Sequence, residues 1–203
     1  MKVENLCKSF KNKVVLDHFS LELPHRGCLA LMAPSGSGKT TFMRILARLE
    51  KPDKGCIIVP KKRLSMVFQE DRLLPGVTAL GNVTAVLDKK QENHAMYWLE
   101  NMGIQNACHL LPKELSGGMR RRLCVARCMA YGGDLIILDE PFAGLDDETR
   151  KNIYPYIFDQ SNKDRLTILI THDREEAQTF ADRLIVMKGT PLSVVEDIKL
   201  RAW

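Results

Sequence analysis

The sequence contains no long hydrophobic run. Its longest apolar segments, such as LIIL at 135–138 and LTILI at 166–170, are far shorter than the roughly 20 residues that a helix needs to span a bilayer. The first residues, MKVENLCKSFKNK, carry positive charge but lack the apolar stretch of a secretory signal. These absences predict a cytosolic protein, so any work at a membrane would depend on a partner.

Paired CxxC cysteines are also absent. The cysteines are scattered along the chain, at Cys7, Cys28, Cys56, Cys108, Cys124 and Cys128. A disulfide or zinc framework would show recurrent spacing, so we expect reduced thiols. Cys124 and Cys128 share one helical face, but no histidine or aspartate accompanies them at ligand spacing. We therefore expect both to pack in a core.

Internal repeats and low-complexity segments are missing as well, which excludes repeat architectures. The chain has 203 residues, of which 45% are hydrophobic and 27% charged, and these proportions are typical of one folded domain. The formal net charge of +5 is compatible with a nucleotide, a nucleic acid or an anionic membrane surface, and it does not decide among these partners.

Hydrophobic periodicity predicts an α/β fold. Segments that favour strands are KVENLC, KVVL, FSLEL, CLALM, GCIIVP, LSMVFQ, DLIILDE, RLTILITHD and, as the expected final strand, RLIVMKG. Helical patterns separate the later strands, and residues 73–132 are mainly helical. Strands that alternate with helices predict a parallel sheet, here interrupted by one inserted helical block.

A phosphate-binding loop is the strongest local motif. The segment APSGSGKTT lies between a buried strand and an amphipathic helix, as a P-loop requires. Gly36 and Gly38 allow backbone N–H groups to turn toward phosphate oxygens. Lys39 would reach the β- and γ-phosphates, and the Thr40 hydroxyl would coordinate Mg²⁺. The residues assigned to nucleotide binding in this loop are Ser35, Gly36, Ser37, Gly38, Lys39, Thr40 and Thr41.

Two adjacent acids end a second buried strand, in LIILDEP at 135–141. Asp139 is suited to hold the hydration shell of Mg²⁺, and Glu140 is suited to orient and deprotonate an attacking water. Two acids at a strand end often do no more than face solvent. The P-loop upstream favours the catalytic interpretation, because it brings a phosphate and a metal to the same chain.

Further motifs occur in a recognisable order. Along the chain they are Phe10, the APSGSGKTT loop, Gln69 in VFQEDRLLP, LSGGM at 115–119, LIILDE, AGLD at 143–146 and His172 in ITHD. With this set the chain resembles the ATP-binding subunits of ABC transporters. The corresponding family motifs are the A-loop, Walker A, Q-loop, signature, Walker B, D-loop and switch histidine. The resemblance covers nearly the whole chain.

The resemblance implies a fold and a set of ligands. The fold is a P-loop NTPase (RecA-like) core with a parallel sheet, an N-terminal antiparallel β subdomain and an inserted helical subdomain at about 73–132. Residues 1–203 would form a single ABC ATPase domain that binds ATP and Mg²⁺. The D-loop Asp146 would shape a dimer interface. For Phe10, adenine stacking and a core position between two strands stay open.

The resemblance also implies roles for individual residues. The residues assigned to catalysis are Glu140, His172, Gln69 and Lys39, and those assigned to the metal are Thr40, Gln69 and Asp139. In this family two copies pair head to tail, so the signature of one copy faces the γ-phosphate held by the other. The residues assigned to this contact are Ser116, Gly117 and Gly118.

Three arginines, Arg120, Arg121 and Arg122, follow the signature within the first turn of the predicted helix. Cations are unfavourable at a helix amino end, by roughly 0.3–1 kcal/mol each. ATP bound to the partner copy would supply the negative charge that this arrangement lacks. We assign none of the three to a phosphate contact, and we expect at least one to be solvated.

Two positions depart from the family pattern. Met119 replaces the more usual glutamine of the signature, and Ala33 replaces the first glycine of the P-loop. If position 33 required a positive φ, alanine there would cost about 1 kcal/mol of backbone strain and weaken nucleotide binding.

The resulting functional hypothesis is an ATP-hydrolysing subunit that powers transport of a small solute. It would form a homodimer when ATP is bound and act through separate transmembrane permease subunits, and indirectly with a solute-binding protein. It would lie at the cytoplasmic face of the membrane as a peripheral protein, with no nucleic-acid partner. The motifs look most like importers of the nitrate, sulfonate and taurine group, or of pyrimidine thiamine precursors.

Two other functions fit the motifs less well. A soluble ABC ATPase that acts on nucleic acid or ribosomes is disfavoured, because Gln69 and Leu115 are only 46 positions apart and leave no room for a long coiled coil. A P-loop kinase for small molecules would leave the LSGGM and ITHD motifs unexplained.

Overall fold

The computed structural model describes residues 1–58, 63–88, 91–158 and 165–201. Within these ranges the strands are β1 Lys2–Phe10, β2 Lys13–Glu22, β3 Gly27–Met32, β4 Lys54–Ile58, β5 Leu64–Val67, β6 Leu135–Asp139, β7 Leu166–Ile170, β8 Arg183–Lys188 and β9 Ser193–Lys199. The α-helices are α1 Lys39–Leu46, α2 Ala79–Thr84, α3 Glu92–Asn101, α4 Gly117–Tyr131, α5 Asp147–Ile157 and α6 Arg174–Phe180. Short 3-10 helices form at Gln105–Ala107 and Pro112–Glu114.

The strands form two sheets. The smaller sheet has the order β2-β1-β4, with antiparallel pairs, and the larger has the order β5-β6-β7-β3-β8-β9. In the larger sheet β3 is parallel to both β7 and β8. The predicted α/β class, with a parallel sheet and an N-terminal antiparallel β subdomain, is confirmed.

One strand was missed by the sequence analysis. The segment RLIVMKG, which forms β8, is not the final strand, because β9 follows it and pairs with it antiparallel. Most of β9 is exposed, including Val194 and Val195. Its sequence, SVVEDIK, lacks the continuous apolar run that marks the buried strands, and its place at a sheet edge explains this composition.

The chain divides into two compact units, each with its own packing. Unit 1 comprises Met1–Leu64, Asp134–Ile137 and Asn162–Trp203, and unit 2 comprises Ser65–Gly133 and Leu138–Ser161. In unit 1 the central strand β3 carries Leu29, Ala30 and Leu31, all without solvent exposure. A parallel strand in the middle of a sheet is covered on both faces, and its sequence is therefore continuously apolar.

In unit 2, helices α2 and α3 both pack against α4. A buried amide supports this packing, since Asn82 has no exposed surface. Its side-chain oxygen accepts from the Leu74 N–H at 2.8 Å, and its side-chain nitrogen donates to the carbonyls of Leu74, Val77 and Thr78. Because a buried amide is costly when unpaired, these bonds hold the segment before α2 in one conformation.

Candidate functional site

The phosphate loop belongs to unit 1 and connects β3 to α1. Gly36 and Gly38 have φ angles of 76° and 100°, in the left-handed region that glycine adopts without strain. Gly38 is the N-cap residue of α1, and its carbonyl accepts the Phe42 N–H at 3.0 Å. The Gly36 carbonyl accepts from the Thr190 hydroxyl at 3.3 Å. The loop backbone is thus turned as a phosphate cradle requires, at the amino end of an amphipathic helix.

The two glycines are required for different reasons. A Cβ atom on Gly38 would lie 2.4 Å from Val15 Cγ1, so strand β2 leaves no room for a side chain there. A Cβ atom on Gly36 would have no neighbour within 4 Å, so only its φ angle favours glycine. Ala33 does not have a positive φ. The strain considered for Ala33 therefore does not arise.

Ser37 supplies a test of whether the loop fits an anionic ligand. The residue is 4% exposed, and its hydroxyl has no hydrogen-bond partner within the described part of the chain. A buried hydroxyl without a partner is costly, and an oxygen-rich ligand would satisfy it. Lys39, the first residue of α1, adds a cation beside it. The residues present fit a bound phosphate group.

His172 lies at the same end of the unit 1 sheet as the phosphate loop. Strands β3 and β7 are parallel, with Leu31 opposite Ile170, so the chain segments after both strands leave the sheet at its carboxyl edge. His172 is exposed. The neighbouring Asp173 caps α6 by accepting the N–H groups of Glu175 and Glu176, and this cap fixes the backbone that follows the histidine.

Phe10 ends β1 and is 46% exposed. The interpretation as a core aromatic is therefore wrong. The Lys8 ammonium lies 5.1 Å from the ring centroid and forms ion pairs with Glu50 at 2.7 Å and Asp53 at 3.3 Å. A ring that is half exposed and flanked by a fixed cation offers a flat surface for stacking.

The carboxylate pair belongs to unit 2, at the end of β6. Asp139 is 3% exposed, and Glu140 follows it with a φ angle of 47°. A left-handed conformation is uncommon for a residue other than glycine, and it persists only where the surroundings enforce it. Such strain often marks a functional residue.

Arg121 helps to hold the backbone of Glu140 in its left-handed conformation. The residue is 5% exposed, and its guanidinium donates to the Glu140 carbonyl from Nε at 3.1 Å and from Nη2 at 2.6 Å. Nη2 also donates to the Asp139 carbonyl. Nη1 donates to the carbonyls of Phe68 at 2.5 Å and Gln69 at 3.3 Å. One buried side chain therefore joins the backbone of the Q-loop to that of the Walker B motif.

The motifs alone assign no role to Arg121, although the sequence contains a signal for its burial. Positions 121, 124, 125 and 128 form one buried face of α4. A charged residue on an otherwise apolar helical face needs buried partners, and this pattern distinguishes Arg121 from its neighbours.

The neighbouring arginines also have acceptors within unit 2. Arg120 donates to the Leu115 carbonyl at 2.8 Å and lies 3.4 Å from Asp71. Arg122 donates to the carbonyls of Met102 at 2.9 Å and Gly103 at 3.0 Å, and partial burial lowers its pKa. Carbonyl oxygens and one carboxylate thus supply the negative partners that a triple-arginine turn requires.

The signature segment begins α4. The Ser116 hydroxyl is the N-cap and accepts the Met119 N–H at 3.2 Å. A hydroxyl can accept one bond and still donate its own proton, so this exposed group remains able to contact an anion. A Cβ atom on Gly118 would lie 3.2 Å from Leu145 Cδ2, whereas one on Gly117 would be nearly free. Gly118 therefore packs against the D-loop.

Asp146 has a local structural role in the D-loop. Its carboxylate caps α5 by accepting the Thr149 N–H at 2.8 Å and the Thr149 hydroxyl at 2.7 Å. These bonds, the backbone one first, lower the pKa of Asp146. The Q-loop Gln69 is exposed, and the bond from Arg121 holds it through its backbone alone.

The cysteines of α4 pack as expected. Cys124 and Cys128 are each 5% exposed. Burial, reinforced by Asp71, raises the pKa of Cys124 to about 11, so this thiol stays protonated at neutral pH. Cys128 donates to the Ser65 hydroxyl at 3.3 Å. The prediction that both cysteines pack in a core is confirmed.

Comparisons with known proteins agree with these motifs. Residues 16–143 match the family described as ABC transporter. A sulfate/thiosulfate import ATP-binding protein, CysA of Mesostigma viride, is 36% identical over 204 residues, which cover 92% of this chain and 59% of the relative. An aliphatic sulfonates import ATP-binding protein, SsuB 1 of Nocardia farcinica, is 38% identical over 190 residues, covering 92% of this chain and 77% of the relative.

A solved structure is similar over the whole chain. It shows the dimeric ATP-binding cassette MJ0796 in a post-hydrolysis state with ADP and Pi, and it aligns with a TM-score of 0.88 at 26% identity, covering 100% of this chain and 99% of that one. The relatives differ in length, and this chain spans 59% of the CysA protein. The family match and these relatives together show that the chain belongs to the ABC transporter family.

Proposed function

We propose that residues 1–203 act as one ATPase domain that powers the import of a small anionic solute through a separate permease. The observation that carries this proposal is the phosphate cradle of unit 1, with a buried unpaired Ser37 hydroxyl, in a chain of the ABC transporter family. ATP binding and hydrolysis are the shared activity of this family, and the printed names of the relatives are import ATP-binding proteins.

In the proposed nucleotide site, the loop backbone and Lys39 bind the phosphates, and Phe10 stacks on the adenine. Base–aromatic stacking contributes roughly 1–3 kcal/mol per base in nucleic-acid complexes. The exposed hydroxyl of Thr40 and the neighbouring Thr41 lie in the first turn of α1.

Hydrolysis would proceed by positioning and charge stabilisation. Glu140 acts as general base toward the attacking water, and His172 and Gln69 hold the reacting groups in place. The resemblance to the family assigns Thr40, Gln69 and Asp139 to Mg²⁺, an ion that would supply neutralisation of phosphate charge when bound. Carboxylate, hydroxyl and amide oxygens are the donors that this ion prefers, so the residues fit it.

A second copy of the chain would complete the site. In the proposed dimer, the exposed hydroxyl of Ser116 and the N–H groups at the start of α4 face the γ-phosphate bound to the other copy. The dimeric state of the cassette MJ0796, solved with ADP and Pi, supports the formation of a dimer. The helix amino end suits an anion, because its N–H groups lack intrahelical acceptors.

The membrane partner is part of the same proposal. Among the described residues, no helix combines the length and apolarity needed to cross a bilayer. We place the chain at the cytoplasmic face of the membrane through its permease, and assign it indirectly to a solute-binding protein. The sulfonate and sulfate import relatives favour a sulfur oxyanion as cargo and disfavour the nucleic-acid alternative.

The substitution Glu140→Gln tests the catalytic assignment. It should reduce phosphate release by about 100-fold to 10,000-fold, because it removes a general base, while ATP binding persists and a dimer accumulates. Turnover is measured as phosphate release, and the dimer by size-exclusion chromatography with light scattering. The matched control Glu92→Gln changes an exposed acid on α3 and should leave both unchanged. Normal hydrolysis by Glu140→Gln would overturn the assignment.

A further inference from the structure

A cluster of metal-ligating side chains lies in the antiparallel sheet of unit 1, outside the nucleotide motifs. The Cys7 sulfur, an Asp17 carboxylate oxygen and a His18 ring nitrogen all lie within 4.8 Å of one another. Among the residues that the structure describes, these three are the one group of at least three metal-ligating side chains that lie close enough together to share an ion. We propose that Cys7, Asp17 and His18 bind a divalent transition-metal ion of the Zn²⁺ class.

A β-bulge brings the three side chains together. Strands β1 and β2 pair at Leu6–Phe19 and again at Lys8–Leu16. Between these pairs β1 contributes only Cys7, whereas β2 contributes both Asp17 and His18. Two residues thus lie opposite one, as in a bulge. In a regular strand Asp17 and His18 would point to opposite faces of the sheet.

The backbone of His18 allows both side chains to reach the same side. Its φ angle is 45°, in the left-handed region that histidine adopts only occasionally. Its N–H donates to the Cys7 sulfur at 3.4 Å, and its Nδ1 lies 2.7 Å from an Asp17 carboxylate oxygen. Bulges that redirect a side chain are frequent at functional positions, and a strained residue is retained where the surroundings hold it.

The donor set and its spacing suit zinc. Thiolate, imidazole and carboxylate are the ligands that Zn²⁺ takes, at about 2.3 Å for sulfur and about 2.0–2.2 Å for nitrogen and oxygen. A tetrahedral ion at those distances separates its ligand atoms by about 3.4–3.6 Å. The His18 nitrogen lies 2.7 Å from the Asp17 oxygen, and no two of the three ligand atoms are more than 4.8 Å apart. Small side-chain rotations would therefore bring the three atoms to the separations that a tetrahedral ion requires.

Access and selectivity support the same assignment. The side chains of Asp17 and His18 are 58% and 73% exposed, so an ion can enter without unfolding the sheet. A water molecule would fill the fourth position, as in zinc sites with three protein ligands. The Cys7 thiol would lose its proton to solvent on binding. A soft thiolate discriminates against Mg²⁺, so the ion used with ATP does not compete for this site.

Titration of the nucleotide-free full chain with Co²⁺ tests the site, because thiolate ligation produces a near-ultraviolet charge-transfer band and tetrahedral geometry intensifies the visible bands. We expect both features in the wild type. The substitution Cys7→Ser should abolish the charge-transfer band. His18→Asn and Asp17→Asn should weaken Co²⁺ binding by about 10-fold or more, since even a residue that only orients a ligand contributes that much.

The control is Cys56→Ser. Cys56 is an exposed cysteine on β4 whose sulfur lies 3.7 Å from a Glu4 carboxylate oxygen, so it matches Cys7 in being a thiol beside an acid. This variant should bind Co²⁺ like the wild type. Asparagine tolerates the left-handed region, so His18→Asn removes the imidazole while it preserves the bulge, and circular dichroism verifies folding.

Zn²⁺ alone provides a second measurement. It should raise the melting temperature of the wild type and of Cys56→Ser, but not that of Cys7→Ser. A charge-transfer band that survives in Cys7→Ser, or unchanged Co²⁺ affinity in His18→Asn, would overturn the proposal, as would the absence of the band in the wild type. If Cys7→Ser does not fold, His18→Asn and Asp17→Asn decide the question.

Discussion

The phosphate loop of unit 1 and the Walker B region of unit 2 are stabilised in contrasting ways. The loop depends on backbone conformation, with Gly36 and Gly38 at positive φ and Gly38 packed against β2. The Walker B region depends on one buried side chain, Arg121, which donates to carbonyls of two chain segments. A conformation set by glycine is local, whereas a hub of hydrogen bonds exists only after segments distant in sequence have met.

Removal of the Arg121 side chain should cause the largest loss of stability among the substitutions that test this contrast. Arg121→Met fills a similar volume but removes the shared donor to the carbonyls of Phe68, Gln69, Asp139 and Glu140, and loss of a buried hydrogen bond from a charged group costs about 1.5–3 kcal/mol. We expect that loss of stability in urea unfolding, together with reduced ATP turnover.

The neighbouring Arg120 supplies the control. Its side chain is 39% exposed, so Arg120→Met should change the free energy of unfolding by about 1 kcal/mol or less. Arg121→Lys should be intermediate, because an ammonium cannot reproduce the fork of a guanidinium. If the two arginine substitutions changed the free energy of unfolding equally, Arg121 would not be the residue that stabilises the Walker B region.

Substitution of the two loop glycines should have the next largest effect, and the loss should be greater at Gly38 than at Gly36. Gly38→Ala combines an unfavourable φ with a Cβ 2.4 Å from Val15 Cγ1, and overpacking adds about 1–3 kcal/mol to the strain. Gly36→Ala incurs strain alone, about 1–2 kcal/mol. Nucleotide affinity, measured by fluorescence titration, and melting temperature should both fall further for Gly38→Ala.

The double variant Val15→Ala with Gly38→Ala separates the two causes. Shortening Val15 removes the 2.4 Å contact with its Cγ1, whereas the strained φ and a 3.3 Å approach to the Val15 carbonyl oxygen remain. Part of the loss should therefore be recovered. No recovery would show that the Val15 side chain does not contribute to the requirement for glycine at position 38.

The smallest expected effect concerns the D-loop cap of unit 2. The hydrogen bonds from Thr149 lower the pKa of Asp146, so the carboxylate contributes stability above its unfolded pKa of about 3.9, and this contribution is lost as the pH falls through the folded value. Asp146→Asn keeps a good cap but removes this titration. The melting temperatures of the two proteins should therefore differ at pH 6, and the difference should shrink as the pH falls below about 4 toward the lowered folded pKa. A constant difference would contradict the linkage.

Much of the candidate nucleotide site could be proposed from the sequence, because its motifs are contiguous. The APSGSGKTT loop and the LIILDE strand each place their functional groups within a few residues, where strand and helix geometry determines the spacing. The role of Arg121 was missed because its acceptors, at Phe68 and Glu140, lie 53 and 19 residues away. The edge strand β9 was missed because its exposed, polar composition lacks a strand signal.

By itself the sequence determined the α/β class, the phosphate loop and the order of the family motifs, since each depends on local periodicity or on residues close together in the chain. The tertiary structure decided which arginine is buried, why Gly38 cannot carry a side chain, and that Cys7 meets Asp17 and His18 across a bulge. These features depend on strand register and on packing between distant segments. The residue types of a single segment do not specify either one.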